Sequence, residues 1–199
     1  MIKAIIFDLN GVFIHSPKLS DRFEKDFKVP VSEFLPKLSQ IMKEVRKPNA
    51  KSAFSYWESA LKEWKVNLAE EEFWHYWFEA ETPSEEMILL AKELKRKGLK
   101  VITLSNNFKE RADYYGHYPW LHDVVDKTYF SWQTGFVKPD VEAWKLVLKD
   151  FSLEQSEVLY FDDQEKNLKA ALSLGIRSIM YTTPEDAKAM IEGALQAQE

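Results

Sequence analysis

From residue 82 onward the chain alternates short runs rich in β-branched and aromatic residues with amphipathic stretches at helical spacing, and this alternation constrains the fold more than any other feature. Thr82-Pro83-Ser84-Glu85 reads as a capping-box helix start, the apolar stripe Met87, Leu90, Ala91 and Leu94 follows, and Gly98 is placed to end the helix. Lys100 to Ser105 then supplies a strand, Lys109 to Tyr115 a helix, Val124 to Ser131 a strand and Val141 to Leu148 a helix. Val158-Leu159-Tyr160-Phe161 is a further strand and ends in Asp162-Asp163. A helix from Lys166 to Leu174 stops at Gly175, Arg177 to Tyr181 restarts a strand, and a last helix begins at Pro184. With the buried run Ala4-Ile5-Ile6-Phe7 at the start, such alternation requires right-handed crossovers. The expected class is α/β, a Rossmann-like parallel sheet with helices on both faces.

Residues 17 to 82 break the alternation. They hold no convincing strand, several amphipathic stretches and a heavy aromatic load that includes Phe54, Trp57, Trp64, Phe73, Trp74, Trp77 and Phe78. This predicts an inserted helical unit whose aromatics pack mainly as a small core, with some of them available as a wall facing a ligand. Pro30, Pro36 and Pro48 are expected at helix starts and ends.

Composition narrows the function classes. The 199 residues contain no run of roughly 18 apolar residues, and Met1-Ile2-Lys3 leads into Asp8 too soon for a signal peptide, so neither a membrane span nor secretion is expected. The absence of cysteine excludes disulfides, thiolate metal sites and a cysteine nucleophile, and suits a cytoplasmic location. A net charge of -5, with Lys and Arg interspersed among acids, argues against nucleic-acid binding.

Asp8, Ser105 and Asp162-Asp163 each follow a strand directly, so a parallel sheet brings them to one carboxyl edge, where open α/β sheets bind ligands. A lone strand-end serine is more often a helix cap. The convergence of three such groups, joined by Lys138 in Gly135-Phe136-Val137-Lys138-Pro139-Asp140, points instead to a site. Gly11 lets the chain turn tightly beside Asp8. Carboxylates gathered this way repel one another unless a cation neutralises them, and an oxygen-only donor set suits Mg²⁺. A carboxylate nucleophile can take up a phosphoryl group, with the Ser105 hydroxyl, neighbouring backbone N–H groups and the Lys138 ammonium stabilising its oxygens. Neither a Gly-x-x-x-x-Gly-Lys loop nor Gly-x-Gly-x-x-Gly is present.

Phe7-Asp8-Leu9-Asn10-Gly11-Val12, Leu104-Ser105-Asn106-Asn107, Val137-Lys138-Pro139-Asp140 and Phe161-Asp162-Asp163-x-x-x-Asn167 resemble, in order, the four motifs of the haloacid dehalogenase-like hydrolase superfamily. The resemblance runs over almost the whole chain. It implies a catalytic core of residues 1–16 and 83–199 and a helical cap of residues 17–82, as in the subgroup that holds sugar-phosphate phosphatases, phosphoglucomutases and the phosphatase domain of soluble epoxide hydrolase. By that resemblance Asp8 is the nucleophile, Ser105, Asn106 and Lys138 hold the phosphoryl group, and Asp8, Asn10, Asp162 and Asp163 hold Mg²⁺. A small phosphorylated metabolite would be the substrate.

Asn10 departs from the family pattern. Phosphatases of the family carry aspartate there, which protonates the leaving group and activates water while its main-chain carbonyl binds the metal. Asparagine keeps the carbonyl and cannot shuttle a proton, a loss worth about 10²–10⁴-fold. The position fits a slow phosphatase or one acting on a good leaving group, a trapping variant of an aspartate enzyme, or a binding protein that keeps the pocket. His15 could replace the shuttle, and deamidation at Asn10-Gly11 could regenerate aspartate. Metal-free dehalogenation fits Asn10 and conflicts with Asp162-Asp163, and a phosphoaccepting receiver domain fails on the order of its acidic pair. His117 and His122 read as loop residues, and His75 as a packing or surface residue.

Overall fold

The structure is a computed structural model and describes residues 1–197. β1 (Ala4–Phe7) and β2 (Ile14–His15) are followed by four helices, α1 (Leu19–Phe27), α2 (Val31–Val45), α3 (Ala53–Glu63) and α4 (Glu70–Phe78). Next come β3 (Thr82–Pro83), α5 (Glu85–Arg96), β4 (Lys100–Ser105), α6 (Lys109–Tyr115), α7 (Pro119–Val124), β5 (Lys127–Phe130) and the one-turn α8 (Ser131–Thr134). Then follow α9 (Glu142–Phe151), β6 (Val158–Asp162), α10 (Glu165–Ser173), β7 (Arg177–Met180) and α11 (Pro184–Gln196).

The main sheet is parallel throughout, in the order β5-β4-β1-β6-β7. Its two faces follow from the period of two in a strand. Ile5, Phe7, Val101, Leu159 and Phe161 face one core, shared with α5, α7 and α11. Ala4, Ile6, Ile102, Leu104 and Tyr160 face the other, packed by Trp144 and Val147 of α9 and Ala171 of α10. The fold is therefore a Rossmann-like α/β sheet with helices on both faces. In register, Phe7 lies between Thr103 and Phe161, so Asp8 and Asp162 leave adjacent strands at the same level. Ser105 ends β4 one step further along.

Helices α1 to α4 are strung between β2 and β3, which pair antiparallel through Ile14 with Pro83 and His15 with Thr82. The helices enclose a separate apolar cluster in which Phe23, Phe34, Trp57 and Phe73 are fully buried. Phe34 stacks against both Trp57 and Trp64, with ring centroids 5.6 and 5.5 Å away. Phe108, just before α6, joins this cluster and ties the insertion to the sheet.

Several local expectations change: Thr82-Pro83 does not open a helix but forms β3, and Ser84 caps α5, which starts at Glu85. Pro30 caps the start of α2, whereas Pro36 sits inside that helix, where it removes one backbone hydrogen bond without ending the helix. His122 is not a loop residue but lies on α7, which starts after Tyr118 with proline in the first turn, where its missing N–H has no intrahelical partner to lose. The strand expected from Val124 accordingly begins at Lys127.

Candidate active site

Asp8 sits one residue past the central strand, its main-chain N–H donating to the Phe161 carbonyl at 2.8 Å. Asp8 is 4% exposed, and its two oxygens differ. Oδ1 accepts from the Leu9 N–H at 2.7 Å and lies 3.1 Å from Lys138 Nζ. Oδ2 accepts no hydrogen bond among the described residues. Asp8 lines a small pocket of about 130 Å³ together with Asn10, Ser105, Asn106, Lys138 and Arg111.

Lys138 bridges the strand ends. Its Nζ lies 2.7 Å from Asp162 Oδ2 and 3.3 Å from the Tyr160 hydroxyl as well as beside Asp8, and the residue is almost wholly buried. Asn106 fixes its main chain from both sides: the side-chain oxygen accepts from Lys138 N–H at 2.7 Å and the amide donates to the Lys138 carbonyl at 2.8 Å. The Asn106 amide is thus committed to Lys138 rather than free for a ligand. Asp162 is similarly occupied. It accepts from Lys138, Tyr160, the Gln164 N–H at 2.8 Å and Asn167 Nδ2 at 3.0 Å. That leaves Asp163 as the strand-end acid turned to solvent.

Asp8, Asp162 and Asp163 each present a carboxylate oxygen within 4.8 Å of the others. Burial pushes Asp8 up to about 6, against the pull of Lys138 and with help from the Asp162 charge. Asp163 is raised by burial first and by Asp162 second. Three carboxylates thus gather around the single ammonium of Lys138. Gly11, at φ +86°, wraps around this cluster, and a Cβ built there would fall 2.5 Å from Asp163 Oδ2. Only glycine both adopts that conformation and admits the carboxylate.

Asn10 is held by a ring of bonds. Its Nδ2 donates to the Tyr115 hydroxyl at 2.6 Å and to Ser16 Oγ at 3.1 Å, while its Oδ1 accepts from Asn107 Nδ2 at 3.1 Å. Tyr115 gives its one proton to the buried Glu81 at 2.5 Å, so its oxygen can only accept from position 10. Arg111 closes the ring, pairing with Glu81 and donating to Ser16 Oγ at 3.0 Å. Burial raises the Tyr115 hydroxyl and keeps it a phenol. An amide matches these surroundings on every polar atom.

Other expected residues fare unevenly. Ser105 is buried, lines the pocket and caps nothing, since α6 begins only at Lys109 with Phe108 at its N-cap. His15 is not brought to the pocket: on β2 it alternates with the buried Ile14 and is exposed, which removes it as a substitute proton shuttle. His122 and His117 bond the carbonyls of Gly116 and Tyr114, and His75 is exposed and pairs with Glu79 at 2.9 Å. Sequence reasoning missed Arg46, Glu81, Arg111 and Tyr115. Arg111 and Tyr115 lie on α6, Arg46 at the end of α2 and Glu81 just before β3, and none follows the carboxyl end of a sheet strand.

The sheet edge defines a class of site, a buried aspartate and lysine pair facing an acidic cluster that a divalent cation would neutralise. The haloacid dehalogenase-like hydrolase profile matches residues 2–175, and the chain belongs to that family. Acyl-CoA dehydrogenase family member 10 of Mus musculus is 35% identical over 103 residues, 52% of this chain and 10% of that protein. A sesquiterpene phosphatase of Aspergillus oryzae is 31% identical over 104 residues, 50% of this chain and 51% of that protein. The chain thus spans about half the length of one of these relatives and a tenth of the other. A HAD family enzyme of Bacteroides thetaiotaomicron shares the fold with a TM-score of 0.80 at 23% identity, over 96% of this chain and 98% of that one. Its complex with magnesium and inorganic phosphate matches with a TM-score of 0.76 at 23% identity, over 92% and 95%. No helix among the described residues is long and apolar enough to cross a membrane.

Proposed function

We propose that the chain is a Mg²⁺-dependent hydrolase of small phosphomonoesters, that Asp8 is its nucleophile, and that residues 17–82 form a cap over a core of residues 1–16 and 83–199. The observation that carries this reading is the asymmetry of Asp8. One oxygen is pinned by Leu9 N–H and Lys138, the other accepts no hydrogen bond among the described residues, and Asp8 lines the pocket.

The acidic cluster fits a hard divalent cation, because its donors are all oxygens, their charge exceeds that of Lys138, and Gly11 leaves room for Asp163. Asp8, Asp163 and the Asn10 carbonyl would hold it, with Asp162 behind them orienting Lys138. When bound, Mg²⁺ offsets charge on the phosphoryl oxygens. Asp8 Oδ2 attacks phosphorus, the bond to the leaving oxygen breaks, and an aspartyl phosphate forms; water then attacks phosphorus and returns the Asp8 carboxylate and inorganic phosphate. The Lys138 ammonium and the Ser105 hydroxyl hold the phosphoryl oxygens through both steps. The magnesium and phosphate bound by the Bacteroides enzyme and the activity named for the Aspergillus relative support this class of reaction.

Asn10 gives the leaving oxygen no proton, so turnover is slow except with good leaving groups. A second reading, a phosphate-ligand binding protein with no turnover, draws support from the close fit of the Asn10 amide to Tyr115, Ser16 and Asn107. Phosphate release from an aryl phosphate separates the two. The hydrolase reading expects release that stops in EDTA and in Asp8→Asn. Release unchanged in Asp8→Asn rejects Asp8 as nucleophile, and metal-dependent binding without release selects the second reading.

A further inference from the structure

Beside the reacting pocket lies a second cavity of about 720 Å³, and Arg46, Asn106, Lys138 and Lys166 line both. One wall is apolar, from Leu38 and Met42 of α2 and Val137 of the core. Most of the charged lining is cationic. Lys43, Arg46 and Lys47 come from the end of α2 and Lys166 from α10, and the one acid, Glu44, lies 3.7 Å from Lys47.

The cations around the reacting pocket are not alike. Lys138 is matched by Asp8 and Asp162, and Arg111 by Glu81. Arg46 has no carboxylate within ion-pair distance among the described residues, and its Nε is buried without a hydrogen-bond partner. Arg46 is half-buried, and a buried guanidinium N–H without an acceptor calls for a partner that completes its hydrogen bonding. Burial and the neighbouring Arg111 lower it to about 10, so it stays charged at neutral pH. It stands at the junction of a pocket that already supplies Lys138 and Ser105 to one phosphoryl group and a cavity that has no anion of its own to spare.

We propose that Arg46, together with Lys166, binds a second anionic group of the substrate, so that the chain selects phosphomonoesters carrying a carboxylate or a further phosphate over those with a neutral tail. The inference rests on the phosphomonoester reading of the site. The carbon skeleton between the two anions lies against Leu38, Met42 and Val137, and the guanidinium accepts a planar or tetrahedral oxyanion through paired N–H donors.

The test uses a matched, non-hydrolysable pair, 3-phosphonopropionate and propylphosphonate, titrated calorimetrically into the Mg²⁺-loaded protein. The carboxylate-bearing member binds at least about tenfold more tightly, Arg46→Met brings the ratio to within about twofold, and Arg46→Lys or Lys166→Met leaves it in between. Equal affinities in the unsubstituted protein, or binding of neither compound, overturn the proposal. So does an Arg46→Met loss equal for both compounds, which would assign Arg46 to the reacting phosphoryl group. Lys166 is exposed on α10, so its variant reads the same ratio without disturbing the buried core. A parallel phosphate-release assay keeps the two readings apart. A preserved ratio with no release sinks the hydrolase and leaves the anion site; release with no ratio does the reverse.

Discussion

The carboxyl edge of the sheet and the helical insertion are both buried, and they are filled by opposite chemistry. Around Phe34, Trp57 and Phe73 the insertion buries rings against rings. The sheet edge buries Asp8, Ser105, Lys138, Asp162 and Asn167, with charge left over. The insertion is held together by packing around its own apolar cluster, whereas the edge holds its geometry through ion pairs and hydrogen bonds. Packing tolerates many sequences of similar volume; a network of matched donors and acceptors tolerates few.

The largest effect that sharpens this contrast lies at Asn10. A carboxyl group in place of the amide faces Tyr115, whose proton goes to Glu81, and Ser16 Oγ, which already accepts from Arg111. A carboxyl group at this position can give up and take back a proton where an amide cannot. Asn10→Asp therefore raises kcat for alkyl phosphates by about 10²–10⁴-fold. An unchanged kcat means that proton transfer is not what the chain lacks.

Next come two substitutions of similar size and different kind. Lys138→Met leaves Asp8 and Asp162 buried without a cation and lowers stability by about 3–5 kcal/mol, part of which Mg²⁺ restores. Trp57→Ala opens a cavity in the insertion and lowers stability by about 3–5 kcal/mol, with no recovery on adding Mg²⁺. Thermal melts of both variants with and without the metal decide the matter. Equal recovery in the two would erase the distinction between the regions.

The smallest effect is in pH. With Asp8 raised to about 6, its carboxyl is ionised above that value and protonated below it, so protons and metal compete for it. Mg²⁺ affinity is level at pH 7–8 and falls by up to about tenfold per unit as the pH drops below about 6. A midpoint near 4 would show that burial does not govern this carboxylate.

The same contrast explains what the sequence made legible. Asp8, Ser105 and Asp162-Asp163 stand at strand ends, and a parallel sheet gathers strand ends at one edge wherever the intervening chain goes. Lys138 stood out in its Lys-Pro context, although nothing local foretold that Asn106 would clasp its main chain rather than face a ligand. Arg46, Glu81, Arg111 and Tyr115 carry no such marker, because their placement depends on how the insertion docks against α6. His15 misled for a local reason, since its β2 position turns it outward. Pro36 misled because a helix with enough packing tolerates one missing hydrogen bond.

The central claim is that the free oxygen of Asp8 takes up the phosphoryl group. Acid-quenched turnover of an aryl phosphate, followed by peptide mass spectrometry, tests it most directly, and the lack of an acid–base group at position 10 favours accumulation of the adduct by slowing its hydrolysis. The account predicts a hydroxylamine-labile phosphoryl group on the peptide carrying Asp8, absent in Asp8→Asn. Phosphate release with no adduct on Asp8, or an adduct on any other residue, contradicts it.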